Sequence, residues 1–437
     1  MKLMCNLRLF FRYVIPSVLS FALSGVYAIV DGFFVGNSAG DLGLSAINMA
    51  YPLVAVLQAL GTGIGMGGAI YYSIYKAEKK EELAKRFAAG ALWGLVIASG
   101  LSTCMLFFLN DSLLKLLGAR DSLLALGRSY IAVIALGAGL QIMSTGLIPF
   151  IRNHGGSFYA MLSMIAGFIT NIALDYLFVW IWEQGMAGAA WATIIGQGVT
   201  MLMAIVYLLY KKQLTLRISP VNMGSTLLSV LKIGIAPFGL TMIPNISLII
   251  INRFSVAYGG EKAIAVYACI SYIICVVYLI LQGVGDGSQP LLSQYYGERE
   301  LNQLKGVRRT AYGFAMMLSV AACLLMYLTR QRLGLLFGAS QEVNEEIIHI
   351  LPIFLISIPF DAVSRITTAS FYATEKSLFS YILILLEPLL MVLLMLILPR
   401  LGGGQMMIWQ SAVLAKVLAA LLALILKRHT DRQIMPA

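Results

Sequence analysis

Charge is scarce along this chain. Asp, Glu, Lys and Arg make up 12% of its 437 residues, about half the roughly 25% of a soluble globular domain. The shortage runs the whole length, which excludes an ordinary soluble enzyme. Histidine is also scarce, three residues far apart, and gives no metal-ligand spacing. The five cysteines (Cys5, Cys104, Cys269, Cys275, Cys323) are odd in number and scattered, so neither a disulfide framework nor a metal site is expected. No Walker A string is present, and ATP is not the expected energy source. No aspartate-rich pair stands at helix ends to hold Mg²⁺ and a diphosphate, which argues against an embedded prenyltransferase. The glycines of GTGIGMGG (61–68) follow no strand, so a dinucleotide site is excluded; small residues at this spacing suit close packing of membrane helices.

What the chain has in quantity is hydrophobicity: 59% of residues and a mean hydropathy of +0.85. About 20 apolar residues cross a bilayer as a helix. The sequence predicts twelve spans, near 14–36, 46–75, 87–109, 127–150, 157–182, 186–210, 232–258, 263–296, 310–329, 344–373, 378–399 and 405–426. The expected fold is therefore an all-α polytopic membrane protein. The N-terminal stretch MKLMCNLRLFFRYVIPSVLSFALSG begins as a signal peptide does, but its apolar run continues and meets no cleavage signal, and it reads as the first span.

The net charge of +11 is not gathered on one face, so nucleic acid is not an expected partner. Lysine and arginine follow alternate loops instead. The N-terminus (Lys2, Arg8, Arg12), the 2–3 loop (Lys76 to Arg86), the 6–7 linker and the C-terminal tail (Lys427, Arg428, Arg432) lie on one side, with few basic residues on the other. The basic side is the cytoplasmic one. The expectation is a multi-pass protein of the plasma membrane with both termini in the cytoplasm.

The linker YKKQLTLRISPVNMGS divides the chain into an amino-terminal lobe (1–210), a cytoplasmic linker (211–231) and a carboxy-terminal lobe with a short tail (232–437). The lobes repeat weakly: Gln58, Gly61, Gly63, Tyr71 and Tyr72 recur as Gln282, Gly285, Gly287, Tyr295 and Tyr296. Six spans per lobe give the repeats one orientation, related by an axis along the membrane normal, as in many secondary transporters.

Polar residues inside apolar spans are costly and mark function. Asp31 in span 1 and Asp175 in span 5 lie at similar depth, Asn171 shares the Asp175 face four residues earlier, and Thr193 on span 6 enters at the same level. Carboxylate, amide and hydroxyl oxygens make a small-cation site, and a buried carboxyl also takes a proton; the residues do not choose between Na⁺ and H⁺. Pro16 places a kink in span 1. The carboxy-terminal half holds Arg253, Asp286, Asp361, Arg365, Glu387 and Lys416 in apolar context. Asp361 and Arg365, four apart, are expected to pair. Asp286, Asn252 and Glu387 are candidates for a substrate cavity; for Asp286 the bland alternative is a hydrogen-bonded hinge, and for Glu387, which precedes Pro388, it is satisfaction of freed backbone groups. The 21 methionines and 21 tyrosines suit an adaptable cavity, although packing accounts for most of them.

Five stretches in order, VDGFFVG, PFIRNHGGSFYAM, NIALDY, GMAGAAWATIIGQ and GDGSQPLLSQYYGE, resemble the multidrug and toxic compound extrusion (MATE) transporters, over nearly the whole chain. The resemblance implies an antiporter, not an enzyme, that exports organic and often cationic compounds in exchange for Na⁺ or H⁺, with no bound cofactor. It implies the roles of the prokaryotic DinF-like branch for Asp31, Asn171, Asp175 and Thr193 in ion coupling, and for Pro16 in conformational change. Some relatives carry an acid where this chain has Asn252. Expected partners are a small organic substrate and membrane lipid, and a monomer is expected. The alternative function is a flippase for a lipid-linked precursor, against which stand the twelve spans and the few intramembrane cations.

Overall fold

A computed structural model of the chain describes residues 6–213, 215–217, 219–336 and 340–433. Among the described residues there is no strand, and twelve helices are long and apolar enough to cross a membrane. In order they are spans 1 (Leu7–Gly32), 2 (Ser45–Ala77), 3 (Glu81–Leu116), 4 (Asp121–Asn153), 5 (Ser157–Ile181), 6 (Gly185–Tyr210), 7 (Val221–Tyr258), 8 (Lys262–Gly297), 9 (Leu301–Gly334), 10 (Gln341–Ala373), 11 (Ser377–Leu401) and 12 (Gly404–Arg432). Spans 1 and 2 belong to one continuous helical run, Leu7–Ala77, with Pro16 and Pro52 inside it. The all-helical expectation holds because lipid offers the backbone no partners, so each spanning segment must satisfy its own peptide groups.

Several helices outrun the apolar stretches that predict them. Span 9 begins at Leu301, nine residues before the hydrophobic run, and those residues include Lys305 and Arg308. The charge is tolerated because Arg308 finds both carboxylate oxygens of Asp431, at 2.6 Å each. The surface is apolar and the interior partly polar. Phe108 and Leu328 are 78% and 76% exposed while Asp175, Ser144 and Ser288 are fully buried, the inverse of a soluble protein and the arrangement lipid requires.

The described residues form two compact units. One comprises Phe11–Thr241 with Ser293–Glu300. The other comprises the described residues within Met1–Phe10, Met242–Leu292 and Leu301–Ala437.

In the first unit, span 2 is wedged between spans 4 and 7 by the GTGIGMGG glycines. Gly61 and Gly65 lie against Ile142, Thr145 and Gly146 of span 4; Gly63 and Gly67 lie against Gly234 and Val230 of span 7. Each pair is four apart and so occupies one face. A methyl group on Gly63 would stand 2.7 Å from the Gly234 carbonyl oxygen, and one on Gly65 would overlap the Gly146 backbone. Close helix packing is thus the role of this motif.

The linker after span 6 is held against the same unit. Tyr72 donates to Gln213 Oε1 at 3.1 Å, and His154 Nε2 lies 3.1 Å from the same oxygen. His154 stacks on Tyr72, and its Nδ1 is 2.6 Å from the Phe150 carbonyl. Trp93 donates to the Leu216 carbonyl, and Arg86 to Thr226 and Ser225. Burial pushes the His154 imidazole below its ordinary value of 6.5 and Lys76 pushes it further, against the opposing pull of the Phe150 and Gln213 hydrogen bonds.

Two predictions follow from this packing. Gly65→Ala should cost about 1–3 kcal/mol through overpacking, whereas Gly100→Ala, with open space around it, should gain up to about 1 kcal/mol from helix propensity; thermal unfolding in detergent checks both signs. For His154 the folded state holds the neutral ring, so its contribution is complete above pH 6.5 and is lost as pH falls through the lowered folded value. His154→Gln should therefore flatten the unfolding temperature profile below pH 6.5, and an unchanged slope would contradict the assignment.

Candidate functional site

The site in the first unit begins with two glycines. Gly167 of span 5 and Gly196 of span 6 face each other so closely that a methyl group on either would stand 2.7 Å from the carbonyl oxygen of the other. This approach lets a short amide reach across: Asn171 Nδ2 points to Thr193 Oγ1 at 3.5 Å. Nearby, Thr200 donates to the Ser163 carbonyl and locks the same two helices one turn further along. Span 4 closes against span 6 in the same way, with Gly137 under Ile194.

Span 1 is fixed to span 5 by an aromatic stack. Tyr27 lies on Phe168 with ring centroids 5.1 Å apart and planes 8° apart. Asp31 is one turn beyond Tyr27, on the same face, and Asp175 is two turns beyond Phe168. The two carboxyl groups therefore meet, within reach of a shared hydrogen bond if one of them is protonated. Beyond Asp175 the helix widens into a π-helical stretch, Tyr176–Ile181, whose Trp180 packs edge-on against Phe34. Such widenings are frequent at functional sites.

Asp31, Asn171, Asp175 and Thr193 are thus brought together in one buried cluster. Asp175 and Asn171 are 0% and 2% exposed. Two tyrosines that sequence reasoning missed complete it. The hydroxyls of Tyr27 and Tyr130 both reach Thr193. Tyr27 could have been found, being four residues from Asp31; Tyr130 sits on span 4, and no periodicity ties it to spans 1, 5 and 6.

The cluster is short of donors. Asp31 Oδ1, both carboxyl oxygens of Asp175 and the Asn171 side-chain oxygen are buried with no hydrogen-bond partner. Two ionised carboxylates at this range repel each other in a medium that screens poorly. Chemically, the arrangement is a set of converging oxygen acceptors that lacks one positive charge. No group of three or more His, Cys, Asp and Glu capable of holding a metal occurs among the described residues. Converging oxygen acceptors of this kind suit a proton or a small cation.

The remaining expected residues lie elsewhere. Pro16 is buried ten residues into its helix, where its ring removes one backbone bond, and its carbonyl accepts from Ser20 Oγ at 2.7 Å. Asp286, Asn252 and Glu387 belong to the second unit. Asp286 is 4% exposed and accepts from Tyr372 at 3.2 Å. Asn252 keeps a buried oxygen without a partner. Glu387 pairs with Lys416 at 3.0 Å. Asp361 and Arg365 pair as their spacing predicts.

The MatE family profile matches residues 16–177 and 237–397 of the chain. The chain belongs to the MatE family. The first block contains Asp31, Asn171 and Asp175 and the second contains Asn252, Asp286, Asp361, Arg365 and Glu387, and this is a family of transporters, not of enzymes. Multidrug export protein MepA of Staphylococcus saprophyticus is 24% identical over 417 residues, spanning 95% of this chain and 92% of its own. MepA of Staphylococcus aureus strain MSSA476 is 26% identical over 418 residues, with the same coverage. A solved structure described as the outward-facing conformation of a multidrug resistance MATE family transporter of the MOP superfamily superposes with a TM-score of 0.91 at 23% identity, over 98% of this chain and 96% of that one. At that identity the likeness establishes the fold. The MatE chain is accordingly a multi-pass membrane transport protein.

A stability consequence attaches to the missing charge. Asp31→Asn places an amide donor beside Asp175 where two acceptors now face each other. It should raise the unfolding temperature in detergent at pH 8, by the equivalent of about 1–3 kcal/mol. A lower unfolding temperature would mean that the two carboxyls do not face each other as bare acceptors, being apart or already sharing a proton.

Proposed function

We propose that this MatE transporter is a secondary antiporter that exports amphipathic organic compounds, predominantly cationic, in exchange for Na⁺ or H⁺ bound between Asp31 and Asp175. The observation that carries the reading is the set of buried, partnerless oxygens on Asp31, Asn171 and Asp175. A group kept so at a cost in stability is expected to recover that cost when its ligand binds. The two MepA relatives are named as multidrug export proteins, which supports an organic substrate.

In this mechanism the ion enters from outside, neutralises the carboxyl pair and removes the repulsion between Asp31 and Asp175. Span 1 carries Asp31 and holds Pro16 fifteen residues before it. The missing backbone bond at Pro16 makes that point the weakest in the helix, so neutralisation at one end alters the bend at the other. Substrate is released outward in that state, and the ion leaves inward. A membrane potential supplies about 2.3 kcal/mol per charge per 100 mV, ample for coupling at one site. The basic loops set both termini in the cytoplasm, and Asp31 then lies toward the outer end of its span.

The test is efflux of a fluorescent organic cation from cells expressing wild type or Asp31→Asn at equal membrane levels. Wild-type efflux should stop when ion gradients are collapsed, and Asp31→Asn should lose at least about tenfold in gradient-driven rate, as expected for removal of an interaction worth above 1.4 kcal/mol. Undiminished efflux by a well-folded Asp31→Asn protein would refute the coupling role. A wild type that exports no organic cation but moves a lipid-linked precursor would instead support the flippase reading.

A further inference from the structure

The second unit contains a buried charge cluster that the transport reading does not use. Asp361 on span 10 receives Arg365 Nε at 2.5 Å and Lys416 Nζ, from span 12, at 3.1 Å. The same Lys416 nitrogen lies 3.0 Å from Glu387 of span 11. All four side chains are at least nine-tenths buried. The ring of Tyr278, on span 8, faces both cations, 4.4 Å from Lys416 Nζ and 5.2 Å from the Arg365 guanidinium.

The roles within this quartet are unequal. Arg365 is four residues from Asp361 on the same helix and satisfies it locally. Lys416 is the only cation that touches Glu387 among the described ion pairs, and it alone ties span 12 to both other spans. With Lys416 the four charges sum to zero; without it, Glu387 is a lone carboxylate in an apolar interior. Beside the cluster lies a cavity of about 50 Å³ lined by Lys416, Arg365, Tyr267, Tyr278 and Ser247 among others. The Ser247 hydroxyl is 6% exposed and has no hydrogen-bond partner. The cavity has room for a small polar occupant and adjoins the lysine stem.

We infer that Asp361 and Glu387 form a two-carboxylate site for a small monovalent cation, and that the ammonium group of Lys416 is its permanent occupant. A primary ammonium is itself a small monovalent cation with three donors. Tethered to span 12, it needs no gradient to arrive and does not leave. Its consequence for transport rests on the coupling site proposed around Asp31 and Asp175: this unit is self-neutralised, and the chain takes up no second coupling ion there. Removing the Lys416 side chain opens the site to free cations, with the adjoining cavity as room for an alkyl group.

The test reads binding on purified protein and does not use transport, so its outcome is separable from that of the efflux experiment. Unfolding temperatures are measured for wild type, Lys416→Ala and Lys416→Ala/Glu387→Gln in choline chloride, sodium chloride or ethylammonium chloride at equal ionic strength. Lys416→Ala should unfold about 5 °C or more below wild type in choline, as for a broken buried pair, and ethylammonium or sodium should restore about half of that loss. Any shift that sodium produces at Asp31 and Asp175 is common to all three proteins; beyond it, wild type and the double variant should not respond, and ethylammonium should leave both unchanged. Should Lys416→Ala fail to fold, Lys416→Met/Glu387→Gln, which restores charge balance, must fold and be indifferent to cations. A folded Lys416→Ala whose response to sodium and ethylammonium does not exceed that of wild type, or failure of the charge-balanced variant, would overturn the inference.

Discussion

Close approach of helices without a hydrophobic driving force is the constraint on which the described interior depends. Lipid is as apolar as leucine, so spans associate only where backbones can come near enough for dispersion and polar contacts to matter. Glycine supplies that nearness. Gly167 and Gly196 bring span 5 to span 6, and the contact places Asn171 within reach of Thr193. With larger residues at those two positions the helices would stand further apart, and the oxygen cluster would become separate polar groups, each with its own desolvation cost. The glycines of span 2 do the same between spans 4 and 7.

The two units handle buried charge in opposite ways. Around Asp31 and Asp175 several buried oxygens have no hydrogen-bond partner, and none of the ion pairs among the described residues involves either carboxylate. Around Asp361 and Glu387, Arg365 and Lys416 bring the sum to zero. A balanced cluster holds helices in place; an unbalanced one has a standing affinity for what it lacks. The contrast lies within one chain and in one solvent.

Much of this was legible in sequence for local reasons. Asp31 and Asp175 were visible because a carboxylate in an apolar run is rare, and Asn171 because it shares a helix face with Asp175. Asp361 and Arg365 followed from the same four-residue spacing. The glycine motif of span 2 was read as packing because no strand preceded it. What stayed hidden depends on contacts far apart in the chain. Tyr130 reaches Thr193 across 63 positions of sequence, and Lys416 meets Glu387 across two helices. Gln213 reads in sequence only as part of the cytoplasmic linker, whereas Tyr72 and His154 hold it. Helix ends were hidden for another reason: hydropathy marks where lipid begins, and the backbone continues past it, as the first turns of span 9 do.

The π-helical stretch after Asp175 has a consequence for span 5 as a whole. Buried residues along this helix recur every four positions, at Ser163, Gly167, Asn171 and Asp175, and then at Val179, which is 2% exposed. In a regular α-helix each step of four overshoots a full turn by about 40°, so such a row winds around the cylinder and within a few turns faces the wrong way. A π turn takes more residues to close than an α turn, and the row loses part of its accumulated rotation at Tyr176–Ile181. Span 5 therefore corrects its own phase immediately past the carboxylate, and a row written with a period of four in the sequence keeps to one side of the helix in space.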